Sequence, residues 1–210
     1  MVDVVVEDAA TAVKPAMRRR LLAARRAVSV DVHEHEAIAL ANHLAELGIS
    51  GSTACAYAPV GTEPGSAAML DALLDRGVRV LLPVVRTEPN GAPLALMWGE
   101  YLPGNLVAAR FGLLEPTQPW LPAAALAEAE LVVVPALAVD RRGARLGRGA
   151  GFYDRSLPLH APHARLIAVV RDSEVVDELP SEPHDVPMTH ALTPGHGAVA
   201  LVAGEPRQLE

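Results

Sequence analysis

The stretch Thr53–Val85, TACAYAPVGTEPGSAAMLDALLDRGVRVLLPVV, decides the fold. Thr53–Ala58 is short, apolar and β-prone, which predicts a strand. Ser66–Arg76 has helical spacing of its apolar residues and is closed by Gly77, where a left-handed residue ends a helix. Val78–Val85 is a second buried strand. A strand, helix and strand in this order form a right-handed crossover, so the two strands are expected to be parallel neighbours with a helix on one face.

The rest of the chain extends the same theme. Upstream, a helix is expected from Lys14, with Pro15 in its first turn and Met17, Leu21, Leu22 and Arg25 at helical spacing. A second helix is expected from about Asp31, with Glu34 completing a capping box, to Gly48. Downstream, Leu94–Trp98 reads as a short strand and the Pro- and Gly-rich segment 103–122 as loop with local turns. Ala123–Ala129 reads as helix. Glu130–Pro135 (ELVVVP) is the clearest buried strand, a continuous β-branched run stopped by proline. A loop over Val139–Gly149 leads to a helix from about Gly151 to Leu159, then a buried strand at Arg165–Val170. His184–Pro194 reads as irregular and Ala198–Val202 as a last strand. Residues 1–12 carry no cap or turn signal and are expected to form a loose tail. Residues 13–210 then make a single compact α/β domain, a mostly parallel central sheet with helices on both faces.

Composition bounds the function. Half of the 210 residues are hydrophobic but only 3% are aromatic, so Ala, Val and Leu must fill the core. Eighteen basic against 25 acidic residues leave a net charge of −7, the wrong sign for coating nucleic acid, which rewards a basic surface. A local cationic cluster can still hold a small anion. Cys55 is the single cysteine, which excludes an internal disulfide and reads as a small buried thiol. No apolar run approaches the ~20 residues of a membrane helix. A cytoplasmic protein acting on small molecules is the expectation, its oligomeric state left open with a monomer slightly favoured.

The chemistry concentrates in Arg145–Asp154, RLGRGAGFYD, which follows a strand as ligand loops of parallel sheets do. Gly147, Gly149 and Gly151 let backbone N–H groups approach an anion, and the helix that follows adds unpaired N–H groups. Arg145 and Arg148 offer forked donors to phosphate oxygens. Asp154 beside a phosphate site calls for a cation between them, and Mg²⁺ is the natural one. The spacing fits neither the dinucleotide fingerprint nor the P-loop, since no Gly-Lys-Ser/Thr occurs. Lys14, Arg18, Arg19, Arg20, Arg25 and Arg26 form an acid-free basic run; Lys14 and Arg18 share a face at i, i+4 and are placed to clamp a polyphosphate, the others reading as a solvated face. In the loop after Ala56, Glu63 is a carboxylate able to accept from an amino-pyrimidine edge. The histidines have no metal-ligand spacing.

With these residues assembled, the chain resembles the 5-formyltetrahydrofolate cyclo-ligase family over roughly Lys14 to Pro194. The matching blocks, in order, are Lys14-x-x-x-Arg18 with RRAVS downstream, TEPGS, the passage ending LLP, FGLLEP (Phe111–Pro116), VVVPALAVD, RLGRGAGFYDR and HDVPMTHALTP. The resemblance implies ATP-dependent conversion of 5-formyltetrahydrofolate to 5,10-methenyltetrahydrofolate with Mg²⁺, releasing ADP and phosphate. It implies Lys14, Arg18 and the run Arg145, Leu146, Gly147, Arg148, Gly149, Ala150, Gly151, Phe152 and Tyr153 as ATP contacts. Arg148 to Phe152, with Val60 and Glu63, would border the folate. Arg148 and Tyr153 become the catalytic candidates and Asp154 the metal ligand. Trp98 and Tyr101 are assigned to the core ahead of the substrate.

The sequence departs from that pattern at three places. Ala150 stands where some relatives have Lys, and Gly65 where some have a carboxylate, leaving Glu63 as the pterin-facing acid. Thr189 stands where some have a second metal-binding Asp, with Asp185 four residues earlier as a substitute. A folate- or nucleotide-binding regulator with reduced or no activity is the alternative reading. A sugar-phosphate or acyl-transfer enzyme would need a nucleophile or acid/base pair near the glycine loop, and none is evident.

Overall fold

The computed structural model describes residues 3–182 and 185–202. In chain order the α-helices are α1 (Asp3–Arg26), α2 (Val30–Ala45), α3 (Ala68–Leu74) and α4 (Phe152–Ser156). The strands are β1 (Thr53–Cys55), β2 (Arg79–Val84), β3 (Met97–Glu100), β4 (Leu106–Ala108), β5 (Leu114–Pro116), β6 (Trp120–Leu121) and β7 (Leu131–Pro135). They continue with β8 (Ala138–Asp140), β9 (Arg145–Leu146), β10 (Arg165–Val169), β11 (Val175–Val176), β12 (His190–Thr193) and β13 (Gly197–Ala200).

The main sheet runs β13-β12-β10-β7-β1-β2-β3-β6. Its five inner strands, β12, β10, β7, β1 and β2, are parallel, with Ala54 opposite both Val80 and Leu131. Both edges are antiparallel, β13 against β12 and β3 between β2 and β6. The expected mostly parallel α/β architecture is therefore present. A three-stranded sheet β11-β8-β9 and the hairpin β4–β5 stand beside it.

Strand alternation sorts the core into two faces. Leu131 and Val133 of β7 join Leu40, Leu44, Met69 and Leu73 under α2 and α3. Val132 and Val134 point the other way, to Trp98, Leu126, Leu157 and Cys55. That second face is covered by α4 and by 3-10 turns at Ala123–Glu128 and Leu157–Leu159. Leu21 of α1 packs with Leu137, Ala138 and Leu146 of the small sheet. Burial pushes the Cys55 thiol well above its ordinary pKa.

Several boundaries differ from expectation. The first helix begins at Asp3, so residues 3–12 are helical backbone, not a loose tail, and Pro15 lies inside it. Alanines at 9, 10 and 12 have high helix propensity. The cap of α2 is Ser29, whose hydroxyl accepts from Val32 N–H at 3.3 Å, two residues ahead of the expected start. Ala123–Glu128 is a 3-10 turn following Pro122, not an α-helix. Segment 103–122 contains β4, β5 and β6, and His190–Thr193 is a strand of the main sheet. His184 of the segment expected to be irregular lies outside the described residues.

Candidate active site

The chain builds outward from β1 in both directions, to β2 on one side and β7 on the other. At such a switch point the loops leaving the two central strands diverge and open a crevice beyond their C-terminal ends. A cavity of about 320 Å³ lies there. Ala56 onward supplies one wall and Pro135–Leu137 the floor beside it; α1 lays Lys14 and Arg18 across a third side. The residues expected to bind ATP, folate or metal all line this cavity: Lys14, Arg18, Val60, Glu63 and the whole run Arg145–Asp154. Trp98 and Tyr101 do not; both are buried, the Tyr101 hydroxyl donating to Asp71 at 2.9 Å.

The glycine loop is fastened from both sides. Arg18 Nε donates to the Gly147 carbonyl at 2.9 Å, so α1 is stitched to the loop. At Gly149 the backbone is left-handed, with φ +92°, and a Cβ there would stand 3.1 Å from the Arg18 guanidinium. Arg145 Nη2 donates to Asp154 Oδ1 at 2.8 Å, and its guanidinium sits 5.5 Å from the Tyr153 ring centre. Burial pulls the Arg145 pKa down, and Asp154, Tyr153 and Asp185 oppose that. The Tyr153 hydroxyl is buried without a hydrogen-bond partner among the described residues, and burial pushes its pKa up. Ser52 and Trp98 carry unpartnered buried polar atoms too, but of the three residues only Tyr153 lines the cavity.

Opposite the loop, Glu63 is buried. One carboxylate oxygen accepts from Val60 N–H at 3.0 Å and the other faces Arg148 Nε at 3.1 Å. Burial raises the Glu63 pKa, and Val60 N–H and Arg148 hold the rise back. Gly65 is fixed by structure, with φ +97° and the Met69 sulfur 2.2 Å from where a Cβ would be. A side chain at that position would have to displace Met69 and hold a left-handed backbone, and with glycine there Glu63 is the acid of this wall.

The sequence reading missed Arg25. It was grouped with a solvated basic run, yet it is buried and lines the cavity. Its Nε and Nη2 each reach the Glu174 carboxylate at 2.7 Å, and Nη2 also donates to the Ala136 carbonyl at 2.6 Å. Arg171 extends the cluster, with Nε on Glu36 at 2.7 Å and Nη1 on the Thr62 carbonyl at 3.4 Å, next to Glu63. Helical spacing could have found Arg25, since it lies one turn from buried Leu21 and two turns from Arg18. Phe111, Leu113 and Leu114 also line the cavity and come from the segment read as loop.

No three metal-ligating side chains converge among the described residues, so there is no preformed cage. Asp154 and Asp185 both border the cavity, and Asp185 Oδ2 lies 3.9 Å from Lys14 Nζ. Thr189 does not reach it: its hydroxyl bonds to both the N–H and the carbonyl of Leu166, at 2.9 and 3.0 Å. Mg²⁺ carried on a polyphosphate takes only one or two carboxylates, with phosphate oxygens and water completing its shell. The pair Asp154 and Asp185 fits that requirement.

These features define an α/β protein with a glycine-backed crevice, bordered by Lys14, Arg18, Arg145 and Arg148, at the switch point of its sheet. Residues 10–194 match the model of the 5-formyltetrahydrofolate cyclo-ligase family. The chain is 62% identical over 188 residues to the 5-formyltetrahydrofolate cyclo-ligase of Mycolicibacterium smegmatis, covering 90% of this chain and 97% of that one. It is 31% identical over 127 residues to the enzyme of the same description from Escherichia coli, 60% of this chain and 69% of that one. The chain belongs to the 5-formyltetrahydrofolate cyclo-ligase family. Its fold matches that of the Aquifex aeolicus 5,10-methenyltetrahydrofolate synthetase with a TM-score of 0.72 at 23% identity, covering 94% and 96% of the two chains. A synthetase from Mycoplasma pneumoniae gives 0.63 at 19% identity, covering 83% of this chain and 94% of that one. The described residues include no helix long and apolar enough to cross a membrane.

Proposed function

We propose that this chain converts 5-formyltetrahydrofolate to 5,10-methenyltetrahydrofolate at the expense of ATP, with Mg²⁺ bound to the nucleotide. The observation that supports it most is the 3.1 Å approach of Arg148, on the glycine loop, to the buried Glu63 across the cavity. A group that recognises phosphate and a group that recognises an amino-substituted heterocycle thus meet in one enclosure, as a reaction between those two ligands requires.

In this reading the formyl oxygen on N5 attacks the γ-phosphorus and ADP departs. N10 then closes on the activated carbon, and the former formyl oxygen leaves within inorganic phosphate. No covalent enzyme intermediate is needed; the protein positions both substrates and stabilises moving charge. Backbone N–H groups of Gly147–Gly151 and the side chains of Lys14, Arg18 and Arg145 hold the phosphates. Arg148 turns from Glu63 to the transferring phosphoryl group, and the Tyr153 hydroxyl donates to an oxygen in the cavity. Asp154 and Asp185 would hold Mg²⁺, whose chemistry there would be neutralisation of phosphate charge.

The test is to mix the protein with 5-formyltetrahydrofolate, ATP and Mg²⁺ and follow the absorbance of the methenyl product. Wild type should produce it, and Arg148→Ala should lower kcat by roughly 10²–10³, the usual cost of one charge-stabilising donor. Near-normal turnover in that variant overturns the role given to the loop. Folate bound tightly by wild type with no product formed would favour a binding protein without ligase activity. A second expectation is that Lys14→Ala raises the KM for ATP more than that for folate.

A further inference from the structure

The chain contains only two phenylalanines among its 210 residues, and both line the same cavity. Phe152 opens α4 directly behind the glycine loop. Phe111 reaches the cavity from the tip of the β4–β5 hairpin, and the two ring centres are 6.3 Å apart with planes inclined at 54°. Phe152 packs against the edge of the core, but Phe111 does not: it is 70% exposed. Its backbone is left-handed, φ 61° and ψ 20°, the one non-glycine residue with positive φ among those described. A bulky residue is disfavoured in that conformation, so an exposed phenylalanine held there calls for a reason outside packing.

The hairpin is secured at its root and free at its tip. Strand β5 packs on β2 and β3, while β4 pairs only with β5. The buried Glu115 of β5 accepts from Val85 N–H at 2.8 Å and pairs with Arg86 at 3.3 Å. At the tip, Arg110 makes only a 3.5 Å contact with Thr87, and Phe111 projects over the opening. The hairpin rises from the β2 side of the switch point, where Pro83, Val85 and Leu96 also line the cavity. Lys14 and Arg18 belong to α1, which packs on the small sheet on the other side.

We propose that Phe111 is a specificity-determining clamp for the folate, its ring closing over the flat heteroaromatic portion of that substrate at the cavity mouth beside Phe152. Leu113 and Leu114 continue the apolar wall that the substrate ring meets. The clamp serves the folate and not the adenine, because the hairpin brings only apolar residues, Phe111, Leu113 and Leu114, to the cavity, whereas the cations that would hold the nucleotide's phosphates stand on α1 and the glycine loop. This inference rests on the reaction proposed above and adds a residue that selects the substrate's ring system.

The experiment compares wild type with Phe111→Ala, Phe111→Tyr and Phe111→Gly. Calorimetric Kd values for 5-formyltetrahydrofolate are measured without ATP, and KM values for both substrates by the methenyl absorbance. Loss of one aromatic face should weaken folate binding about tenfold or more, in Kd and KM alike. The KM for ATP should stay within about twofold, and Phe111→Tyr should restore folate affinity. Phe111→Gly should melt no lower than wild type, since it removes strain without opening the core. Folate affinity unchanged in Phe111→Ala, or an ATP effect larger than the folate effect, overturns the clamp. If wild type binds folate without forming product, the reaction fails while the Kd ratio still decides the clamp. If wild type binds no folate, both fall together.

Discussion

Gly149 combines two demands that a methyl group would break at once: a left-handed backbone and the close approach of Arg18. Gly149→Ala should cost about 1–2 kcal/mol from the backbone alone and displace the guanidinium that stitches α1 to the loop. A lowered Tm together with a raised KM for ATP is expected; a change in Tm alone would show that Arg18 adapts. Ala150 is exposed on the cavity rim, so Ala150→Lys should tighten ATP binding by adding a cation where no packing opposes it. Glu63 gives a signed pH effect. Its folded pKa is raised above the ordinary value of 4.5 by burial, so ionisation penalises the folded state. The penalty is absent below the ordinary value and grows as pH rises from there through the raised value. The Tm of Glu63→Gln relative to wild type should therefore increase across that window, and a difference independent of pH would refute it. The glycine loop was readable in the sequence because glycines, arginines and an acid crowd ten residues. Arg25 was hidden because one charge within a basic run looks like its neighbours until the opposite face of the helix is buried.

Helix α1 is held to the sheet by charge as much as by Leu21. Arg25 and Glu174 are almost fully enclosed and joined by two 2.7 Å bonds, so removing either partner strands a buried charge. Glu174→Ala should cost about 3–5 kcal/mol. Replacing both partners, as in Arg25→Met with Glu174→Leu, should recover much of that by thermal or urea unfolding. A double variant no more stable than Glu174→Ala would mean that the bond from Arg25 to the Ala136 carbonyl dominates. The longer elements were legible because their apolar residues alternate or recur over enough positions: α2, α3, β2, β7 and β10 lie close to where patterning puts them. Strands β8, β9 and β11 have two or three residues each, too few to show any period, and exist because they pair with one another and α1 packs against them. The segment 103–122 looked like loop for a related reason: prolines and glycines interrupt a hairpin whose partners are non-local.

At the scale of the whole molecule, one β-α-β unit sufficed to imply a parallel sheet, and the sheet implied ligands beyond its strand ends. The enclosure did not follow from any local stretch. Arg18 and Gly147 are 129 positions apart, as are many of the contacts that turn a glycine loop into a cavity wall, and they arise only when α1 crosses the sheet. The central sheet also buries Cys55, the sole sulfhydryl, with no measurable exposure. Raised proton affinity leaves it almost wholly as the unreactive thiol. A thiol-directed reagent must therefore wait for the strands to separate, and the labelling rate becomes a native clock for opening of the sheet. Any compound that occupies the folded crevice slows that clock by the factor 1 + [L]/Kd, about a hundredfold when free ligand is 100 times Kd. The unaltered chain thus carries its own binding assay, able to rank nucleotides and folates one at a time whether or not they react.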